Sequence, residues 1–454
     1  MKKLVLLLAA TFASPALAQY NDADIERLRE VALQTDTTAM TITEALTVMG
    51  PRMAGTESEA HARRWAVNTL TDIGFSNVRE ETYQMPTWVR GAESAHIVDP
   101  FPQEMVITAL GRSAATSEDG ITAEIVAFDS VAALRAAPVG SLAGRIAYVS
   151  HNMQRAQDGS GYGHAGPTRW NAPSLAAERG AVAIVIRSVG TDWHRNPHTG
   201  GTNWAEGVER IPAGALSNPD ADNLERMTRL GPVTMRLVLT PRWLGDQESG
   251  NVIAELPGRD PEAGMILIAC HIDSWDLSPG AFDDAAGCGI ITGAANLIRR
   301  SGVQPLRTIR LFWAGAEEVG IYGALDYFEQ HGTERHALAA ESDFGADRIW
   351  RVEFNIPEAA NADAGRLMRL LEPLGIPRGT QTATGGADTS PLVRNGVSAI
   401  DLQQDGTRYF DLHHTPDDTF DKIDPEQVRQ NVAVWVTMLA VMANSEFLDA
   451  ENSR

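Results

Sequence analysis

Only two cysteines, Cys270 and Cys288, occur in the 454 residues, so no disulfide framework or cysteine-rich finger organises the fold. Their spacing leaves two states open, a bridge or a pair of buried thiols. Basic residues are also scarce. The 38 Lys and Arg stand against 59 Asp and Glu, a formal charge of -21, which argues against nucleic acid or an anionic membrane surface as partner. No apolar run reaches the roughly 20 residues that a membrane span needs. Val432 to Ala443 is read as a core helix, and Leu4 to Phe12 as the h-region of a secretory signal. Lys2-Lys3 before that run and Ser14 to Ala18 after it predict a leader over 1–18 and an exported protein, periplasmic or secreted, beginning at Gln19.

What remains is ordinary globular composition, 43% hydrophobic and 21% charged, long enough for two or three domains with cores of their own. Helical spacing over Ile25–Leu33 and Glu57–Ile73 leads into a strand near Val78–Tyr83. From Ile121 short strands punctuated by Gly and Pro take over (Ile121–Val126, Arg145–Val149, Val182–Ile186), with a helix at Pro173–Arg179 and loop-rich sequence from Asn152 to Glu209. After Trp243 strands and helices alternate, the rhythm of an α/β sheet with helices on its faces. The predicted division is therefore 19–120, an inserted mainly-β module over 121–243, and 244–454.

Open α/β sheets bind ligands beyond the carboxyl ends of their strands. Three apolar runs deliver polar residues to such ends: Met265–Cys270 into His271-Ile272-Asp273, Thr308–Trp313 into Glu317-Glu318, and Ala337–Ala340 into Glu341-Ser342-Asp343. Gly280-Ala281-Phe282-Asp283-Asp284 before a predicted helix, and Tyr409-Phe410-Asp411-Leu412-His413-His414-Thr415-Pro416 downstream, add further candidates. Imidazole with carboxylate, and no thiolate, is a donor set suited to a catalytic zinc.

These five segments, in this order, resemble the co-catalytic zinc exopeptidase family of bacterial aminopeptidases, glutamate carboxypeptidase and carboxypeptidase Q, with the last group most similar. The likeness covers nearly the whole chain after the leader. Gly144-Arg145-Ile146-Ala147-Tyr148 and Ile211-Pro212-Ala213 in the insert resemble a protease-associated domain. The resemblance implies a three-layer αβα domain around a mixed, mostly parallel sheet, with two zinc ions per chain. It places His271 and Asp343 on one ion, Glu318 and His414 on the other, and Asp283 between both. Glu317 becomes the general base acting on a water activated by the metals, Asp273 a carboxylate orienting His271, and His413 an oxyanion donor. Three ligand carboxylates plus Glu317 also balance the four charges of two divalent ions. A homodimer is implied by the resemblance alone.

The loop Gly385-Gly386-Ala387-Asp388 offers Asp388 to a substrate pocket, and Arg394 or Arg408 could bind a terminal carboxylate. His164, His194 and His198 are read as surface residues of the insert bordering the cleft. The expected activity is hydrolysis of terminal bonds in short peptides or dipeptides, with aminopeptidase and carboxypeptidase polarity both open. Two alternatives stay in view: a glutaminyl cyclase-like enzyme with one zinc, and a receptor-like binding protein with none. Retention of His271 and of every other ligand position speaks against both.

Overall fold

A computed structural model describes residues 20–448; the expected leader lies outside them. A seven-stranded sheet forms the centre of the larger unit. Its order from edge to edge is Ser76–Val89, Arg242–Leu256, Ile309–Ala314, Met265–His271, His336–Glu341, Ser398–Gln404 and Ile349–Asn355. The four strands from Ile309–Ala314 to Ser398–Gln404 pair in parallel, and antiparallel strands flank them on both sides, so the sheet is parallel only in its centre.

Side chains alternate between two apolar layers, as strand geometry requires. Ile266, Ile268 and Cys270 pack with Leu311 and Trp313 against helices Ala286–Ser301 and Pro425–Met442. Leu267 and Ala269 pack with Phe312 and Tyr327 on the opposite face, where helix Tyr322–His331 lies. Burial on both faces accounts for the continuous apolar runs of the two central strands. Helix Pro425–Met442 is buried core, and no described helix is long and apolar enough to cross a membrane.

The insert differs from its sequence reading in two respects. Its eight-stranded sheet recruits Glu93–Asp99, Gln103–Met105 and Ile107–Ala109, so this unit starts near residue 93 instead of 121. Strand Glu93–Asp99 pairs with Thr234–Leu239, a partner distant in sequence. The unit is also not mainly β. Ile121–Phe128, Ile146–Val149, Ala183–Arg187 and Ala213–Leu216 pair in parallel, and parallel pairs need crossovers. Helices Val131–Ala136 and Ala172–Glu178 supply two of them, and helix Asn218–Leu230 follows the last of these strands.

Cys270, near the end of its strand, is bridged to Cys288 in helix Ala286–Ser301, with 5.1 Å between the Cα atoms. The bridge ties the strand that carries His271 to the helix that follows Asp283. Protein denatured and alkylated without reductant is therefore expected to keep its mass and to gain two adducts only after reduction; adducts without reductant would contradict the bridge. Replacing both cysteines by serine should cost about 3 kcal/mol in urea unfolding, as for a closed loop of this length.

Candidate metal centre

Six side chains from five chain segments meet at the carboxyl rim of the parallel strands. His271 is the last residue of Met265–His271. Glu317 and Glu318 follow Ile309–Ala314, and Asp343 follows His336–Glu341. Asp283 sits in the tight turn Ala281–Ala285, and His414 lies just beyond the short helix Tyr409–Leu412. Glu317, Glu318, Asp283, Asp343 and His414 line a cleft of about 430 Å³ together with His413 and Tyr409.

The Asp283 carboxylate divides the group in two. Its Oδ1 is 3.1 Å from His271 Nε2, which is itself 3.2 Å from Asp343 Oδ1. Its Oδ2 is 3.4 Å from His414 Nε2, which is 2.8 Å from Glu318 Oε2. That Oδ2 is buried without a hydrogen-bond partner in the protein. Asp284 also lies within 4.8 Å of His271 and Asp343, but its two oxygens accept the amides of His271 and Gly287. Asp284 therefore secures the start of the helix while Asp283 faces the cleft.

Both histidines are held in the same way. His271 Nδ1 is 3.0 Å from the Asp273 carbonyl, and His414 Nδ1 is 3.2 Å from the Thr199 carbonyl. Assigning the proton to Nδ1 from these contacts leaves the Nε2 lone pairs directed at the acidic cluster, the arrangement of metal-binding histidines. Asp273 thus differs from expectation. Its carbonyl, not its carboxylate, accepts from His271; the nearer carboxylate oxygen stands 3.6 Å away. The carboxylate instead accepts the backbone amides of Glu317 and Glu318 and fixes their turn.

Electrostatics set the character of the cleft. Burial, reinforced by Asp343, Asp273 and Asp283, pushes Glu317 up to about 8. Burial and Asp283 raise Glu318 well above the carboxylate range. Asp283 goes the other way, because His271 and His414 outweigh its burial and hold it low. Such a concentration of acids away from water is stable as anions only against cations. With imidazole and carboxylate donors present and both cysteines bridged, the donor set fits zinc.

The insert fastens the site through specific contacts that the sequence reading did not identify. Thr191 and Thr199 donate their amides to the Phe410 and His414 carbonyls. His194 Nε2 meets the Asp411 carbonyl at 3.0 Å. His198 is buried between the His413 carbonyl and the Asp192 carboxylate, acceptors at both ring nitrogens. His194 and His198 are accordingly both clamps on the His413-His414 loop; His198 is buried, contrary to its surface reading, His194 is half-buried, and His164 is exposed as read. Arg169 reaches the Thr199 carbonyl and Tyr162 hydroxyl, and Tyr162 stacks on Phe410. No local signal announces the contacts to the His413-His414 loop, because they join residues more than 200 positions apart.

His413 lines the cleft, stacked on His414 with ring centroids 3.5 Å apart and with Nδ1 unpartnered. Burial and the neighbouring His414 hold its pKa well below the usual value, so its ring is neutral. The three substrate-binding candidates fare differently. Arg394 is exposed at the end of helix Ser390–Arg394 and does not line the cleft. Arg408 is engaged by both oxygens of Asp347. Asp388 is buried behind the cleft with both oxygens unpartnered, and only its neighbour Ala387 faces the cavity.

Comparison with known proteins agrees with this arrangement. The model of peptidase family M28 matches residues 251–439. Carboxypeptidase Q from Bos taurus is 32% identical over 434 residues, which span 95% of this chain and 88% of that protein. The human protein of the same name is 32% identical over 435 residues with the same coverage. A peptidase M28 precursor from Shewanella amazonensis, known from its crystal structure, superposes with a TM-score of 0.91 at 44% identity, covering 93% of this chain and 97% of its own. A zinc aminopeptidase from Bacillus subtilis shares the fold at 19% identity, with a TM-score of 0.63 and coverage of 90% and 94%. A buried imidazole and carboxylate centre on this fold, with relatives alike over almost their whole length, makes the chain a member of peptidase family M28 and a zinc metallopeptidase.

Proposed function

We propose that the enzyme is an exported exopeptidase that hydrolyses terminal bonds of short peptides with two zinc ions, one of which His271 and Asp343 would hold and the other Glu318 and His414, with Asp283 shared between the two sets. The observation that carries this reading is the division of the Asp283 carboxylate, one oxygen toward His271 and Asp343, the other toward His414 and Glu318. A single-ion site has no use for the second trio. The Cys270–Cys288 bridge suits the oxidising compartment that export would supply.

When bound, the zinc pair would supply Lewis acidity toward the scissile carbonyl and lower the pKa of the attacking water. Glu317 takes the proton of that water and passes it to the leaving amine. Its place beside Glu318, on a turn fastened by Asp273, keeps the carboxylate at the reacting atoms without tying it to a metal. His413 donates an N–H to the oxyanion that forms on the carbonyl. The insert, through Tyr162 and Arg169, roofs the cleft and restricts it to chain ends.

Glu317→Gln should lower kcat by about 100- to 10,000-fold while zinc content stays at that of the native enzyme. Parallel loss of zinc and activity would make Glu317 a ligand instead of a base. For His413→Ala the expectation is a kcat lower by about 100- to 1,000-fold with KM little changed. Unchanged turnover in a variant of full zinc content would remove His413 from the reaction.

A further inference from the structure

Two arginines line the cleft, and only one is committed. Arg169 is occupied by the Thr199 carbonyl and the Tyr162 hydroxyl. Arg112 makes no hydrogen bond or ion pair with any described residue, although 21 more acids than bases surround the chain. Another cation, Arg210, which stacks on Trp243 at 4.6 Å, stands near it. Arg112 is partly buried and holds a φ of 67°, a left-handed backbone that a long side chain rarely adopts. An unpaired guanidinium fixed at the wall of an acidic cleft costs free energy unless an anion meets it there.

The position identifies the anion. A Cβ on Gly320 would stand 3.6 Å from the Arg112 guanidinium. The Gly320 amide in turn donates to the Glu317 carbonyl, so Arg112 flanks the turn that carries the general base. Glu317 delivers its proton to the leaving amine, and the leaving amino acid therefore lies over that turn. In a C-terminal residue the α-carboxylate is two bonds from that amine, on the Arg112 side. Beyond Arg112 a small recess of about 70 Å³, walled by Met53, Met85, Trp88 and Trp275, adjoins the cleft and offers apolar contact to the leaving residue's side chain.

We infer that Arg112 binds the free α-carboxylate of the residue being released, which gives the enzyme carboxypeptidase or dipeptidase polarity. The planar fork of arginine matches a carboxylate with two parallel hydrogen bonds, and an amide cannot reproduce the charge. The inference rests on the peptidase reading above and deepens it.

The test is the ratio of kcat/KM for a dipeptide to kcat/KM for the same dipeptide amidated at its C-terminus, measured on zinc-loaded full-length enzyme. The native ratio is expected to lie at about 10 to 100. In Arg112→Ala of unchanged zinc content the ratio should fall to near one, and Arg112→Lys should keep an intermediate value through its charge alone. Lysine also preserves a long side chain at this position should the alanine variant fold poorly. A native enzyme that cleaves both compounds equally, or an Arg112→Ala enzyme that keeps the native ratio, overturns the assignment while leaving the peptidase reading intact. A native enzyme that cleaves neither overturns both.

Discussion

Negative charge gathered out of water is the constraint around which this protein is built. Asp283, Glu317, Glu318 and Asp343 share one cleft with two histidines, and their mutual repulsion must be balanced by bound cations or by protons. Burial lifts Glu317 and Glu318, which shows how strongly the protein alone resists ionising all four. On the proposed reading a pair of divalent ions would resolve the conflict at once and leave Glu317 free to carry a proton. The same concentration of charge that would destabilise an ordinary domain thus becomes the source of metal affinity.

Holding such a cluster in register falls to a second set of carboxylates behind it. Asp273 accepts the amides of Glu317 and Glu318, Asp284 those of His271 and Gly287, and Asp418 those of Phe282 and Asp283. Glu341 does the same for Ala387 and Thr389. Each pins a loop by its backbone and leaves the functional side chain clear. Arg52, fully buried, donates to the carbonyls of Ile272, Pro279 and Gly280 and so joins the His271 strand end to the Asp283 turn. The insert adds the last fastening, gripping the carbonyls of Phe410, Asp411, His413 and His414. Roof and metal site are therefore mechanically one object, although the strands of the insert belong to a separate sheet.

His271, Glu317, Glu318, Asp343 and Asp283 stood out in the sequence because they follow apolar strands or precede a helix, where periodicity marks the boundary, whereas His414 was picked out only by the family resemblance. Helix Glu57–Ile73 and the two central strands were legible for the same reason. Helix Thr38–Val48 was not, since its threonines are poor helix formers; Thr43 and Thr47 return their hydroxyls to carbonyls four residues back. The clamps of His194 and His198 depend on tertiary contacts that leave no local trace, and so does the placing of Arg112 at the cleft wall. Arg408 illustrates the converse. Its charge suggested a substrate anchor, but Asp347, 61 positions away, engages its Nε and Nη2.

Diffraction at the zinc absorption edge, from crystals of the full chain grown with excess zinc, tests the central claim most directly. Two anomalous peaks flanking the Asp283 carboxylate, one beside His271 and Asp343 and the other beside Glu318 and His414, are the predicted result. A single peak would contradict the paired centre in favour of one-metal chemistry, and an empty cleft would contradict the catalytic account altogether.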